Sequence, residues 1–315
     1  MKQKYRNLIT FAILILAVWY VSVNRQAFST LEALGAGDIA IISAVLLVFF
    51  AATGLTFSLL VNLVETRLSS LEIVALSFLT NMVNYLAPLR PGAAVKAMYL
   101  KSVKGLEYSR FSSVFAANAF LVLATTSAAA LIILGLNWYY HNLLPWELLA
   151  VSLALFLLSL APFIVPSFSW MKLRGRGRVA DAIDKAIDGF EQIRGQKAGV
   201  MLVCTSVVFQ FLVSGLLMML VYASIDIDLP YRMALLLGIF TSLANLFTVT
   251  PNNVGVQEAV MGYLVVIMGG DFNQGLVGAA ILRAIHLALT FSVGLLLVNR
   301  MLLKADLNFR EMMPG

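Results

Sequence analysis

Two polar stretches decide how this chain folds: Asn84-Tyr-Leu-Ala-Pro-Leu-Arg-Pro-Gly-Ala-Ala-Val-Lys96 and Thr250-Pro-Asn-Asn-Val-Gly-Val-Gln-Glu258. Each interrupts an apolar block with a proline and, four residues later, a glycine: Pro88 and Gly92, then Pro251 and Gly255. Proline removes a backbone donor and frees a carbonyl, and glycine lets the backbone turn sharply. Asn84 and Asn245 stand shortly before the two prolines. Around these breaks the chain is 61% hydrophobic and 12% charged over 315 residues, with mean hydropathy +0.91. A soluble domain is about half apolar and about a quarter charged, so a soluble enzyme is nearly excluded. Apolar blocks of roughly 20 residues also exclude disorder, collagen and coiled coil, and indicate an all-α integral membrane protein.

Working outward from the breaks, the spanning blocks are Leu8–Val23, Ile39–Val64, Phe111–Leu136, Glu147–Val165, Gly199–Ala223 and Leu276–Val298. The first is read as an uncleaved helix rather than a signal peptide, because further spans follow. Leu71–Ala87 and Ala93–Lys104 flank the first break; Tyr231–Thr250 and Val256–Met268 flank the second. Asn137–Trp146 reads as an aromatic interfacial loop. Lys172–Lys197 is the one sizeable polar segment. It opens with Lys172, Arg174, Arg176 and Arg178, then places Val179, Ile183, Ala186, Ile187, Phe190 and Ile193 at helical spacing. That is an amphipathic helix, either on the membrane surface or packed on the bundle.

Charge sets the expected orientation. If each broken segment enters and leaves on one side, Arg67, Lys101, Lys104, Arg110, the 172–197 segment and the tail are cytoplasmic, as are both termini. The outer loops then hold Glu32, Asp38, Glu147, Asp226, Asp228 and Asp271 against Arg25 and Arg232. Lys and Arg favour the inside, so the net charge of +6 belongs to cytoplasmic loops, not to nucleic-acid binding. The expected fold is about six spanning helices plus two re-entrant broken hairpins, in one polytopic domain covering residues 1–315. Repeat one (about 39–136) and repeat two (about 199–303) have the same order and are inverted, a pattern typical of transporters.

Broken backbone cannot face lipid unsatisfied and must be buried in protein or line a wet cavity. The candidate substrate-binding residues are therefore Asn84, Arg90, Lys96, Asn252, Asn253, Glu258 and Arg283, with Pro88, Gly92, Pro251 and Gly255 as hinges. A charge at bilayer depth costs about 2.5–3.5 kcal/mol on insertion scales. Glu258 and Arg283 either pair with each other structurally, line a polar path for a headgroup, or do both. Arg90 and Lys96 are either inside-positive anchors or a phosphate clamp. Asp226-Ile-Asp228 has no nucleotide fold around it and reads as a solvated loop. His286 reads as packed or helix-bonded. One cysteine, Cys204, and two histidines give no disulfide framework and no metal or haem cluster, so no cofactor is expected. No Ser/His/Asp set, Walker loop or dinucleotide fingerprint is present, so catalysis is not favoured.

The two stretches, with Ala280-Ile-Leu-Arg283, resemble the lysylphosphatidylglycerol synthase transmembrane region, or flippase-like (UPF0104), family. The similarity runs over roughly residues 8–303. In the second stretch Pro251, Gly255, Glu258 and Arg283 match. In the first, the family usually has Gly-Glu-x-x-Arg, where Ala93 follows Gly92 and Lys96 takes the basic position. Ala117-Asn118 replaces an acidic-basic pair common in the third helix. The resemblance implies lipid handling in the bacterial inner membrane. No segment here reads as the family's soluble aminoacyltransferase domain, so lysyl transfer is not implied. The leading expectation is a translocase moving a phospholipid or polyprenyl or glycolipid headgroup through a central polar groove, downhill or ion-coupled. Alternatives are a lipid- or lipid-linked-sugar-modifying membrane enzyme with Glu258 as base, an accessory subunit of one, or a scaffold for a cytosolic partner. Expected partners are membrane lipids, anionic phospholipid or lipid phosphate foremost, with a homo-oligomer or a lipid-synthesis enzyme as further candidates.

Overall fold

A computed structural model describes residues 34–86, 91–141, 145–165, 177–245 and 251–304. The expected first span, the basic start of the 172–197 segment, Pro88, Arg90 and the C-terminal tail lie outside the described residues. The protein is an all-α integral membrane protein. Ten α-helices are described: α1 (Ala36–Asn62), α2 (Ser70–Leu86), α3 (Pro91–Lys104), α4 (Tyr108–His141), α5 (Trp146–Ile164), α6 (Arg178–Gly195), α7 (Lys197–Ala223), α8 (Tyr231–Ala244), α9 (Val256–Ile267) and α10 (Phe272–Lys304). Helices α1, α4, α5, α7 and α10 are long and apolar enough to cross a membrane. They match five of the six expected spans within a few residues.

Composition explains the boundaries. α2 stops two residues before Pro88. α3 opens on Pro91, where the missing N–H costs nothing. α5 and α8 start directly after Pro145 and Pro230. One boundary differs from expectation. The segment beginning at Asn137 is not all loop, because α4 continues through Trp138, Tyr139 and Tyr140 to His141. No proline or glycine interrupts it there. These aromatics are well exposed, as suits rings at the membrane–water boundary.

The order long, short, short, long occurs twice: α1–α4, then α7–α10. The chain divides into two compact units. One comprises Met1–Leu47, Asn81–Pro91 and Val213–Ser292; the other comprises Val48–Thr80, Gly92–Leu212 and Val293–Gly315.

In the second of these units, α1 and α7 run antiparallel. Thr53 Oγ1 donates to Gln210 Oε1 (3.3 Å), Thr56 Oγ1 and Ser206 Oγ lie 2.6 Å apart, and the side chain of Leu63 sits against Gly199. Contacts that climb one helix descend the other. The Gln210 amide also donates to Thr56 Oγ1, completing a polar ladder between two apolar helices. Such interhelical bonds are worth about 0.6 kcal/mol each in a membrane. Phe50 stacks on Phe78 at 4.2 Å between centroids, bringing α1 onto α2.

Helix α6 packs against α4 and against Leu63, just past the end of α1. Ser113 Oγ donates to the Ala186 carbonyl (2.7 Å), Phe190 meets Phe120 edge-on, and the Gln192 and Gln196 amides donate to the Leu63 carbonyl. Of the apolar stripe expected from its spacing, Phe190 and Ile193 are buried and Ala186 and Ile187 half-buried, whereas Ile183 is 40% exposed.

Candidate functional site

The second polar stretch becomes a tight reversal between α8 and α9. Residues Pro251–Asn253 form a single 3₁₀ turn. Asn252 (φ 43°), Asn253 (φ 55°) and Gly255 (φ 85°) are all left-handed. Asparagine tolerates this conformation better than other side chains, and glycine bears it without strain. This is why an Asn-Asn-x-Gly run, and not merely a proline, turns the chain here. The buried Asn253 closes the turn: its Nδ2 donates to the Ala244 carbonyl and to Asn245 Oδ1, both at 3.1 Å. The C-terminal end of α8 thereby gains donors it would otherwise lack.

Arg283, on α10, holds this reversal. Its Nε donates to Glu258 Oε1, Nη1 to the Asn252 carbonyl (3.2 Å), and Nη2 to the Asn253 carbonyl (3.3 Å) and Gln257 Oε1 (3.2 Å). Four of the five N–H donors are thus engaged. Glu258 answers with its other oxygen, which accepts the Gly255 N–H at 2.8 Å and caps α9 from its third residue. The ion pair is part-buried, with side-chain exposures of 13% for Arg283 and 19% for Glu258. It is neither sealed in the core nor freely solvated. Arg283 is the twelfth residue of α10, about 17 Å along its axis at 1.5 Å per residue. That is roughly halfway through a 30 Å hydrocarbon layer if α10 enters at its first turn.

The first stretch contributes to the same cluster. Tyr85, in the last turn of α2, hydrogen-bonds through its hydroxyl to His286 Nδ1 at 2.8 Å. Its phenol also meets the Asn252 side chain and the Arg283 guanidinium. His286 is one turn beyond Arg283, so α10 presents both groups on one face. Four of the expected residues, Asn252, Asn253, Glu258 and Arg283, are therefore brought together. Asn84 lies beside Tyr85, half-buried, in that same turn.

Lys96 has a different setting. It lies in α3 with Nζ 4.1 Å from the centre of the Phe57 ring, a cation–π contact in the other unit. Gly92 is buried in the first turn of α3. Arg90 and Pro88 fall outside the described residues.

A family model described as "Lysylphosphatidylglycerol synthase TM region" matches residues 7–294. The chain belongs to this family. No curated protein and no solved structure matches it. Membership makes it a membrane protein related to lipid modification or transport. In this member of the lysylphosphatidylglycerol synthase TM region family, the Glu258–Arg283 pair does two jobs at once. It neutralises an intramembrane arginine, and it fixes the backbone of the broken hairpin.

Two polar groupings escaped sequence reading. Glu72, buried, accepts the Ser69 N–H (2.7 Å), the Tyr99 hydroxyl (2.8 Å) and Lys104 Nζ (2.9 Å). This ties the first turn of α2 to the end of α3. Its available signal was the capping box Ser69-x-x-Glu72. The Tyr85–His286 bond had no local signal, since the partners are 201 residues apart.

Proposed function

We propose that this protein is a lipid translocase of the bacterial inner membrane, with both termini cytoplasmic, and that a phosphate-bearing headgroup crosses beside the Tyr85–Asn252–Arg283 cluster. The observation that carries the reading is the meeting of both broken stretches at one partly accessible polar cluster around an intramembrane arginine. A charged headgroup needs polar groups through the hydrocarbon layer, whereas its chains do not. Arg283 is the frame and the fixed positive charge. The Asn252 side chain, Gln257, Tyr85 and His286 form the adaptable rim. The antiparallel run of α1 against α7, the first helices of the two four-helix sets, supports an inverted repeat. In such a fold the two hairpins enter from opposite faces.

A modifying enzyme with Glu258 as general base is less well supported. Both carboxylate oxygens accept hydrogen bonds that fix the turn, so taking a substrate proton there would weaken the contacts that hold the hairpin.

The test is a leaflet-resolved assay of fluorescent phosphatidylglycerol in proteoliposomes. Wild type should accelerate exchange over empty vesicles, and Asn252→Ala should slow it while leaving the protein folded. Equal rates for wild type and empty vesicles would overturn the proposal.

A further inference from the structure

A cavity of about 680 Å³ opens where α5 ends and α6 gives way to α7, all within one unit. Its lining includes Phe163 from α5, Glu191 and Arg194 from α6, and Lys197, Val200 and Met201 from α7. We propose that it is a peripheral site for an anionic glycerophospholipid, separate from the Arg283 cluster.

Three features select this ligand. The first is depth. Two spanning helices end at the cavity, α5 at Ile164 and α7 at Lys197. Its polar rim therefore lies where hydrocarbon gives way to headgroups.

The second is charge. Among the described lining residues, Arg194 and Lys197 against Glu191 leave one net positive charge, and the N-terminal end of α7 adds its partial positive charge. Arg194 is held in place: its Nη1 donates to the carbonyls of Pro162 (3.3 Å) and Val165 at the end of α5. Those carbonyls orient the guanidinium without cancelling its formal charge.

The third is polarity along the membrane normal. One turn into α7 the lining becomes apolar, with Val200 and Met201 opposite Phe163. Met201 is 68% and Leu202 54% exposed, as suits side chains that meet acyl tails. A soluble anion would use only the cationic rim. A zwitterionic lipid would leave the excess positive charge unmatched. An anionic phospholipid satisfies both halves.

The test is native mass spectrometry of the full chain released from nanodiscs holding phosphatidylglycerol and phosphatidylcholine. Wild type should retain phosphatidylglycerol preferentially. Lys197→Gln should lower that retention about fivefold, the effect of one cation near a membrane surface. Met201→Trp should lower retention of both lipids by filling the apolar half. Lys185→Gln, which removes an exposed α6 cation outside both the cavity and the Arg283 cluster, should leave retention unchanged, so a loss is read at the cavity itself. Retention unaffected by both Lys197→Gln and Met201→Trp would overturn the proposal. So would displacement of the lipid by millimolar inorganic phosphate alone.

Discussion

The two broken hairpins are knotted in opposite ways. The first, α2 with α3, is tied at its base by an acid: Glu72 gathers donors from Ser69, Tyr99 and Lys104. The second, α8 with α9, is tied at its tip by a base: Arg283 gathers acceptors from Asn252, Asn253, Gln257 and Glu258. The same topological element has thus been fixed at different points. The position that holds Glu258, three residues after Gly255, holds Val95 three residues after Gly92. With no acid there, the first stretch cannot build the pair that stabilises the second. Among the described residues of that stretch, the cation Lys96 rests on an aromatic face instead. The fixed charge of the proposed site, Arg283, sits on α10 and is held by the second hairpin, while the first brings the Tyr85 phenol to it.

The largest expected effect comes from breaking the tip knot. Arg283→Ala leaves Glu258 uncompensated and two turn carbonyls without donors, and should cost about 3–5 kcal/mol. Thermal unfolding in nanodiscs would report it, and removing Glu258 as well should recover part of the loss. Next come the glycines that let each hairpin lean on a spanning helix. A Cβ at Gly275 would collide with the Gly262 backbone of α9, and one at Gly54 would collide with the Ile73 carbonyl of α2. Gly275→Ala and Gly54→Ala should each cost about 1–3 kcal/mol by overpacking, read in the same assay. Glu72→Ala breaks the base knot and strands the buried Tyr99 hydroxyl, for about 1–3 kcal/mol. If its cost equals that of Arg283→Ala, the contrast between tip and base does not hold. The smallest effect belongs to an exposed pair away from both knots. Lys185, 2.8 Å from Glu107, holds that carboxyl below the usual carboxylate range. A carboxyl with a lowered folded pKa stabilises above its unfolded value and loses the contribution as pH falls through the folded one. Lys185→Gln should therefore move the Glu107 titration upward by NMR, with no measurable change in stability at neutral pH.

Much of this was legible in the sequence. Apolar block lengths gave α1, α4, α5, α7 and α10, since hydrocarbon thickness leaves little choice of span length. Pro-Gly spacing marked the reversal between α8 and α9, the first break lying outside the described residues, and Glu258 with Arg283 stood out because charge is costly at that depth. The missing parts depend on tertiary pairing. The α1–α7 ladder uses Thr53, Thr56, Ser206 and Gln210, each unremarkable in an apolar helix until its partner is known. Tyr85 carries no local signal, and only folding brings it to His286. The continuation of α4 past Asn137 was missed because interfacial aromatics serve loops and helix ends alike.

The opposite entry of the two hairpins is the claim on which the lipid route depends, and sided cysteine labelling tests it most directly. In a Cys204→Ser background, Gly105→Cys marks the base of the first hairpin and Asp228→Cys the base of the second. A membrane-impermeant maleimide should reach residue 105 only from the cytoplasmic side and residue 228 only from the opposite side. Labelling of both from one side would contradict the account.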